Sequence, residues 1–289
     1  MTFKDGILEG VQYTPATHMG GGISPSLVIL HDTASSLSEG SAADYLQDND
    51  AKVSVHFVIE LNGKLRQLVP INRRANHAGA SSYHGRKGCN NFSIGIELVN
   101  PGKMRAAGAN GVTWFGATVE NGQPHTVEIA ETPEHGRGMW MHYPEAQLDT
   151  LIWLLRLLFA ECDTLQDIRA HWYVSPGRKV DTNPLFPMEQ IRSHILGRDD
   201  PAEDEANRVS QPASLNELVV TSSNGDTLNM RRWPSFNPNV IAKIPDGTPV
   251  PVLRRGTFAG RDWLQVFYAG QEGWIVASYA DPVTYALPR

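Results

Sequence analysis

The sequence predicts an α/β domain followed by a smaller all-β domain. Through about residue 197, short apolar runs typical of strands alternate with longer segments of helical periodicity. A polar stretch follows, and beyond it the chain consists of short apolar runs separated by Pro and Gly, the pattern of a small β-barrel. We therefore expect a first domain over residues 1–197, a linker over 198–214 and a second domain over 215–289.

Length, composition and charge limit the classes of protein to which the chain can belong. Its 289 residues exceed the roughly 100 to 200 typical of one domain, and 41% hydrophobic residues indicate a folded globular protein. A net charge of -6 argues against nucleic acid and against an anionic membrane surface as partners. Arg156 interrupts the longest apolar run, so we expect no membrane insertion. Residues 1–6 lack the features of a signal peptide, so we expect synthesis in the cytoplasm without Sec export.

Three strands and two helices are expected in the first domain. Residues 26–30 form an apolar run that ends in His and Asp, residues 54–60 resemble a strand entering an Asn-Gly turn, and residues 93–99 form a third strand. Between the first two strands, residues 40–46 place Ala, Tyr and Leu at helical spacing. Residues 144–162 combine an initial Pro with one broad apolar face, which predicts a core helix.

Two further stretches are predicted to be irregular. Residues 101–142 are rich in Gly, Thr and His, which indicates a long excursion over the surface that could face a substrate. Residues 198–214 contain too few apolar side chains to pack and are therefore expected to link the domains. In the second domain we expect five short strands, at residues 228–231, 239–244, 248–253, 263–266 and 273–276.

The segment from His171 to Pro184 carries the residues most suggestive of chemistry. In it, His171 and Asp181 flank a Pro-Gly turn, and Lys179 precedes the Asp by two positions. Zinc binds imidazole nitrogen and carboxylate oxygen, and a catalytic zinc uses three protein ligands, which leaves a fourth position for water. His31, at the end of its strand, is a candidate third ligand. On the residues alone a structural role stays open, because ten histidines give many chance pairs and most single histidines are structural or exposed.

Three stretches, residues 27–31, 93–98 and 171–184, resemble the signature motifs of the type 2 N-acetylmuramoyl-L-alanine amidases. The resemblance covers roughly residues 20–195, and its most specific part is the His, Pro-Gly-Arg-Lys and Asp pattern of the third stretch. There the common Asp-Pro-Gly-Pro ending is replaced by Asp181-Thr182-Asn183-Pro184. The family includes animal peptidoglycan recognition proteins, and the resemblance implies a mixed sheet flanked by helices, with zinc on the open face.

The resemblance also implies a role for each matching residue. It makes His31, His171 and Asp181 the ligands of a zinc ion, the one cofactor that we expect. Glu97 then stands in the position of the general base that moves a proton from water to the departing amine, for which the alternative is a surface carboxylate at a strand end. Lys179 stands where a positive charge stabilises the developing oxyanion, and its alternative is a solvated loop lysine.

Other residues give weaker indications of function. His77, in an Asn-His-Ala-Gly segment, resembles a family segment at the rim of the groove and is therefore a weak candidate for a substrate contact, with a role without substrate left equally open. His56 lies inside a strand and is expected to be structural or to support a ligand. Asp32 replaces the His or Asn that other members carry, which leaves the surroundings of the ligands open. Three more residues are candidates for the rim only: Tyr83, His84 and Trp114.

The C-terminal strands resemble a bacterial Src-homology-3-type (SH3-type) module over about residues 215–283. Such modules commonly bind cell-wall material, so a wall-binding role is the expectation. Aromatic side chains could line a groove for sugar or peptide, although a small barrel also needs aromatics in its core, and we favour the core for Trp263 and Trp274. The aromatic candidates are Trp233, Phe236, Trp263, Phe267, Tyr268 and Trp274.

The expected function is zinc-dependent hydrolysis of the amide bond between N-acetylmuramic acid and L-alanine in peptidoglycan, whose glycan strand and stem peptide are the expected partners. Two alternatives stay open: a recognition protein without catalysis, and a different zinc hydrolase, such as a peptidase on the same fold. For the biological role, we favour endolysin-like degradation of the wall over a cytosolic recycling enzyme or a secreted effector. An endolysin-like enzyme or an effector would act on the cell wall or in the periplasm, and we expect a monomer.

Overall fold

The structure is a computed structural model that describes residues 1–122, 124–196, 210–213, 217–234, 240–258 and 260–283. The chain divides into two compact units, Met1–Arg198 and Asp199–Arg289. Among the described residues, no helix has the length and apolar character needed to cross a bilayer.

A six-stranded sheet forms the centre of the first unit. Its strands are β1 (Gln12–Tyr13), β2 (Leu27–Asp32), β3 (Phe57–Ile59), β4 (Leu65–Gln67), β5 (Ser93–Leu98) and β6 (Asp167–Ala170). They lie in the order β6-β2-β5-β3-β4-β1. The first four of these run parallel, β4 is antiparallel to β3, and β1 is parallel to β4, so the sheet is mixed, as the resemblance implied. Strands β2 and β5 are buried almost throughout, as expected for the inner strands of a parallel sheet.

In the part of this unit that the structure describes, four α-helices accompany the sheet: α1 (Ser41–Gln47), α2 (Glu145–Glu161), α3 (His171–Val174) and α4 (Met188–Leu196). The apolar face of α2, with Leu148, Leu151 and Leu155, packs in one core with the even-numbered residues of β2 and β5, such as Val28 and Ile94. Because side chains alternate along a strand, the odd-numbered residues of β2 and β5 point to the opposite face of the sheet.

The segment 101–142 is not irregular as predicted, because it contains two small sheets of its own. Arg105–Ala107, Asn110–Val112 and Thr118–Val119 form a three-stranded sheet, and Val127–Ala130 pairs with Gly138–Met141. These strands contribute to a small cluster of buried apolar side chains. Because the cluster is small and the strands are short, the sequence lacks the long alternation of apolar and polar residues that would have predicted them. The remaining short strands of this unit form three pairs: Phe3–Lys4 with Ile7–Leu8, Met19–Gly22 with Arg73–Ala75, and Ser82–Tyr83 with Arg86–Lys87.

The described residues of the second unit lie mostly in strands. These are β7 (Gln211–Pro212), β8 (Leu218–Thr221), β9 (Thr227–Arg231), β10 (Val240–Pro245), β11 (Pro249–Phe258), β12 (Arg261–Tyr268), β13 (Gln271–Val276) and β14 (Ala280–Pro282). They form one sheet in the order β10-β9-β13-β12-β11-β8-β14, and β7 pairs with β11. The five predicted strands correspond to β9–β13, although residue 239 lies outside the described residues.

Most of the predicted linker, residues 198–209 and 214, lies outside the described residues. Its described part, residues 210–213, contains β7 and therefore belongs to the sheet of the second unit. Pro212 has no N–H to donate, but β7 pairs with β11 alone, so the interior of the sheet loses no hydrogen bond. Among the predicted groove aromatics, Trp233, Trp263 and Trp274 are buried. Phe267 is 45% exposed, and Phe236 lies outside the described residues.

A buried ion pair holds α4 against the edge strand β6. Arg192 donates from Nη2 to Oδ1 of Asp167 at 2.9 Å, while Tyr83 donates its hydroxyl to Oδ2 of the same carboxylate at 2.7 Å. We expect Asp167→Ala to lower the free energy of unfolding by about 3 to 5 kcal/mol, because it leaves a buried guanidinium without its main partner. The matched control is Asp44→Ala, which removes an exposed ion pair with Arg66 and should cost less than about 1 kcal/mol. Equal losses of both variants in urea denaturation would contradict this assignment.

Candidate metal centre and cleft

Three neighbouring parallel strands bring the candidate residues to one edge of the central sheet. His31 on β2 lies directly opposite Glu97 on β5, and both belong to the odd-numbered face. On the other side of β2, Ala170 pairs with Leu30, so His171 follows at the level of His31. The carboxyl ends of parallel strands are where α/β folds place their ligands, and the sequence puts its polar residues there.

His31, His171 and Asp181 converge on one point. The two Nδ1 atoms of the histidines are 2.9 Å apart, and Oδ2 of Asp181 lies 2.9 Å from Nδ1 of His171 and 3.3 Å from Nδ1 of His31. All three ligand atoms lie within 4.8 Å of one another. Two imidazole nitrogens and one carboxylate oxygen are a donor set that suits zinc, with room for a fourth ligand. The residues present therefore fit the metal that the resemblance implied.

The ring of His171 is oriented by a hydrogen bond from Nε2, the ring nitrogen that does not contact Asp181. Nε2 of His171 lies 3.2 Å from the carbonyl oxygen of Ala78. The nearby Nη2 of Arg178 donates its two hydrogens to that same carbonyl, at 2.6 Å, and to the hydroxyl of Ser175, at 2.7 Å. Arg178 has no Nη2 hydrogen left for the imidazole, so Nε2 of His171 carries the hydrogen and donates it to Ala78. Nδ1 therefore presents its lone pair to Asp181 and His31.

Burial and neighbouring charges set the protonation of the other two candidate ligands. Burial, together with the nearby His171, lowers the pKa of His31 to about 4, so the ring is neutral at physiological pH. Neutral imidazole is the form that binds a metal. For Asp181, burial opposes ionisation, but the neighbouring His171 and His31 lower its pKa well below the usual value. The carboxylate is therefore charged, and the set is ready for a cation.

The backbone around Asp181 is held by Asp32, which the sequence placed near the ligands without a defined role, and by His135, which sequence reasoning did not connect with the site. Asp32 accepts the N–H of Asn183 at Oδ2, at 2.8 Å, and the hydroxyl of Tyr143 at Oδ1, at 2.6 Å. His135 lies with Nε2 2.8 Å from the carbonyl oxygen of Thr182. The position of Asp32 directly after His31 was a usable signal, whereas nothing in the sequence connected His135 with a loop almost fifty residues away.

Glu97 presents an unpaired carboxylate oxygen beside the metal ligands. Its Oε2 is buried and has no hydrogen-bond partner among the described residues. Burial, followed by the charges of Asp181 and Asp32, raises the pKa of Glu97 well above its usual range, while Lys179 acts in the opposite direction. A carboxylate whose pKa is raised by such surroundings is typical of groups that exchange protons with a substrate.

The site opens into a cleft of about 730 Å³, a size common for ligand pockets. Lys179 and Glu97 line it together with the three candidate ligands, Tyr45 of α1 and Trp114 of the segment 101–142. Trp114 is 75% exposed, yet its indole N–H donates to the carbonyl oxygen of Ala34 at 2.8 Å, which holds the ring on the cleft wall.

The remaining sequence candidates occupy different places. Tyr83 and His84 do not line this cleft, and the Tyr83 hydroxyl is bound to Asp167. His56 is structural: Nε2 lies 2.9 Å from the carbonyl oxygen of Arg73, and Nδ1 accepts the N–H of Gly95 at 2.9 Å. His77 lines the cleft and contacts His31, with 2.9 Å between Nδ1 of His77 and Nε2 of His31.

Comparison with known proteins gives the family context of this site. A family model described as N-acetylmuramoyl-L-alanine amidase matches residues 21–184, which is more than half of the chain. The 1,6-anhydro-N-acetylmuramyl-L-alanine amidase AmpD of Salmonella typhimurium is 31% identical over 145 residues, covering 50% of this chain and 58% of that protein. The N-acetylmuramoyl-L-alanine amidase AmiD of Escherichia coli is 30% identical over 179 residues, covering 59% of this chain and 53% of that protein.

A solved structure with a similar chain trace is that of Escherichia coli AmiD in complex with the substrate anhydro-N-acetylmuramic acid-L-Ala-D-gamma-Glu-L-Lys. It has 26% sequence identity and a TM-score of 0.44, and the match covers 74% of this chain and 73% of that chain. The chain spans a little over half the length of the curated relatives it matches.

Proposed function

The chain belongs to the N-acetylmuramoyl-L-alanine amidase family, and on that premise we propose that it is a zinc-dependent amidase. Its substrate would be the amide bond between N-acetylmuramic acid and L-alanine of peptidoglycan, with the glycan strand on one side and the stem peptide on the other. The observation that carries this proposal is the convergence of His31, His171 and Asp181 beside the unpaired Oε2 of Glu97. A recognition protein would not need such a carboxylate beside its metal.

In this proposal the side chains of the chain divide the work of hydrolysis. Zinc held by His31, His171 and Asp181 would acidify water and polarise the scissile carbonyl. Glu97 takes a proton from the attacking water and gives it to the departing nitrogen, so that a C–O bond forms as the C–N bond breaks. The products are a carboxylate on the muramic acid and a free amine on L-alanine. The charge of Lys179 stabilises the oxygen that becomes negative on the way, an effect that can contribute a few kcal/mol.

The second unit supports action on the wall polymer. We propose that residues 215–289 form the SH3-type module expected from the sequence and bind cell-wall material, so that the enzyme degrades the wall in an endolysin-like way. Phe267, whose ring is 45% exposed, is the groove candidate on the described surface. The names of the AmpD relatives favour a second candidate role, cleavage of small 1,6-anhydromuramyl peptides, as in recycling.

The test compares two substrates with and without a chelator. We expect purified peptidoglycan to release intact stem peptides, detected by mass spectrometry, with the release lost on chelation and restored by added zinc. A soluble 1,6-anhydromuramyl tripeptide serves as the second substrate: a much higher turnover of this fragment than of the polymer would favour the recycling role.

Two outcomes contradict the amidase proposal. Cleavage within the stem peptide would indicate a peptidase on the same fold. Absence of release from either substrate, with zinc bound, would indicate a recognition protein without catalysis.

A further inference from the structure

His77 connects the candidate ligand His31 to the interior of the protein. Its Nδ1 lies 2.9 Å from Nε2 of His31, and its Nε2 lies 3.1 Å from the hydroxyl oxygen of Ser93. The Ser93 hydroxyl in turn donates to the carbonyl oxygen of Cys89 at 2.7 Å. A continuous row of hydrogen bonds thus runs from a backbone carbonyl to the far side of a candidate ligand.

The direction of every hydrogen in this row follows from its inner end. A carbonyl only accepts, so the single hydroxyl hydrogen of Ser93 points to Cys89, and the Ser93 oxygen accepts from Nε2–H of His77. A neutral imidazole with hydrogen on Nε2 has a bare Nδ1, which accepts from Nε2–H of His31. The hydrogen of His31 is therefore on Nε2, and its Nδ1 presents a lone pair to His171 and Asp181.

The backbone holds the His77 ring in the place that this row requires. A Cβ on Gly95 would lie 2.6 Å from Cγ and Nδ1 of His77, so only glycine leaves room for the ring on β5. The N–H of Gly95 donates to His56, and Oδ1 of Asn90 accepts the N–H groups of His77 at 3.1 Å and Ala78 at 2.7 Å. The position of the ring is therefore set by the hydrogen bonds to its own backbone and by its contact with Gly95 of β5.

We propose that His77 is a positioning residue for the metal: through Ser93 it fixes the tautomer and orientation of His31, and thereby the affinity of the site for zinc. This inference rests on the zinc site of the proposed function. It replaces the substrate contact that the sequence suggested for His77, because both ring nitrogens are already bonded within the protein. Partners of this kind, behind a metal-binding histidine, typically change metal affinity by a factor of about 10 to 100.

Two variants of His77 separate positioning from packing. We expect His77→Ala to raise the zinc dissociation constant of the full chain about 10-fold to 100-fold, measured with the metal alone against a chromophoric chelator. We expect His77→Asn to stay close to the wild type, because the amide oxygen can accept from Nε2–H of His31 where Nδ1 of His77 does so now. His84→Asn, at an exposed histidine outside the cleft, is the matched control and should leave zinc affinity unchanged.

A second measurement guards against a folding defect. Nitrogen-15 NMR of the metal-free chain should show His31 with hydrogen on Nε2 in the wild type and a mixture of tautomers in His77→Ala, while circular dichroism reports whether the variant is folded. The proposal is overturned if folded His77→Ala binds zinc as tightly as the wild type, or if wild-type His31 carries its hydrogen on Nδ1. Because neither measurement involves a substrate, failure of the amidase activity would leave this result intact, and the reverse also holds.

Discussion

Replacing Glu97 with glutamine is expected to lower amide hydrolysis by a factor of about 10² to 10⁴, while zinc binding stays close to that of the wild type. Glutamine keeps the size of the side chain but accepts no proton, and Glu97 is not among the three converging ligands. The wild-type rate should also fall as the pH falls through the raised pKa of Glu97, because protonation removes the base. The measurement is the initial rate of stem-peptide release against pH.

Glu60 offers a matched control for this experiment. It directly follows β3 in the same sheet, is buried, and accepts the N–H of Gly40 at Oε1, but it does not line the cleft. Glu60→Gln should therefore retain nearly the full rate. If Glu97→Gln remained as active as Glu60→Gln, Glu97 would not be the general base.

Replacing Asp181 with asparagine is expected to abolish tight zinc binding and, with it, hydrolysis. The substitution removes the only negative charge among the three converging ligand atoms and leaves an amide oxygen, a much weaker ligand for zinc. Asp32→Asn is the control, since it lies in the same cleft and its oxygens face Asn183 and Tyr143. An amide can accept from Asn183 and donate to the oxygen of Tyr143, so zinc binding should persist. Calorimetric titration with zinc distinguishes the two variants.

The same control variant yields a pH prediction. Burial raises the pKa of Asp32 from its usual 3.8 to about 8, against hydrogen bonds from Tyr143 and Asn183. Between the pKa of this carboxyl group in the unfolded chain and its higher pKa in the folded chain, only the unfolded chain gives up the proton. The folded state therefore becomes less stable, relative to the unfolded state, as the pH rises through this range. Metal-free wild type should therefore lose stability relative to Asp32→Asn between about pH 4 and pH 8. If the difference in unfolding free energy between the wild type and Asp32→Asn were the same at every pH, the raised pKa of Asp32 would be contradicted.

The parts of the molecule that the sequence predicted are those where one local pattern decides the outcome. The apolar run that ends in His31 had to be a buried strand, and the spacing from His171 to Asp181 fits a loop that turns back on itself. The helix at Glu145–Glu161 followed from one broad apolar face, within one residue of each predicted end.

The parts that the sequence did not predict depend on contacts between distant segments. The small sheets of residues 101–142 form around their own buried side chains, such as Met104 and Met139, which are too few to give a recognisable period. The role of His77 was not visible either, because its meaning depends on Gly95 and Ser93 of another strand. The distances from His77 to His31 and to Ser93, and not its residue type, distinguish a histidine at the cleft rim from one that positions a metal ligand.

The hydrogen bond from His135 to Thr182 bears on any attempt to engineer a smaller version of this protein. Residues 101–142 resemble a surface insertion that could be shortened to a brief connection. Their His135, however, donates a hydrogen bond to the carbonyl oxygen of Thr182, directly after Asp181. A shortened chain would lack that donor, so the loop that carries Asp181 would be held less tightly in the position that the proposed metal coordination requires. A minimal design must therefore bring a replacement donor to the Thr182 carbonyl, or keep the insertion whole.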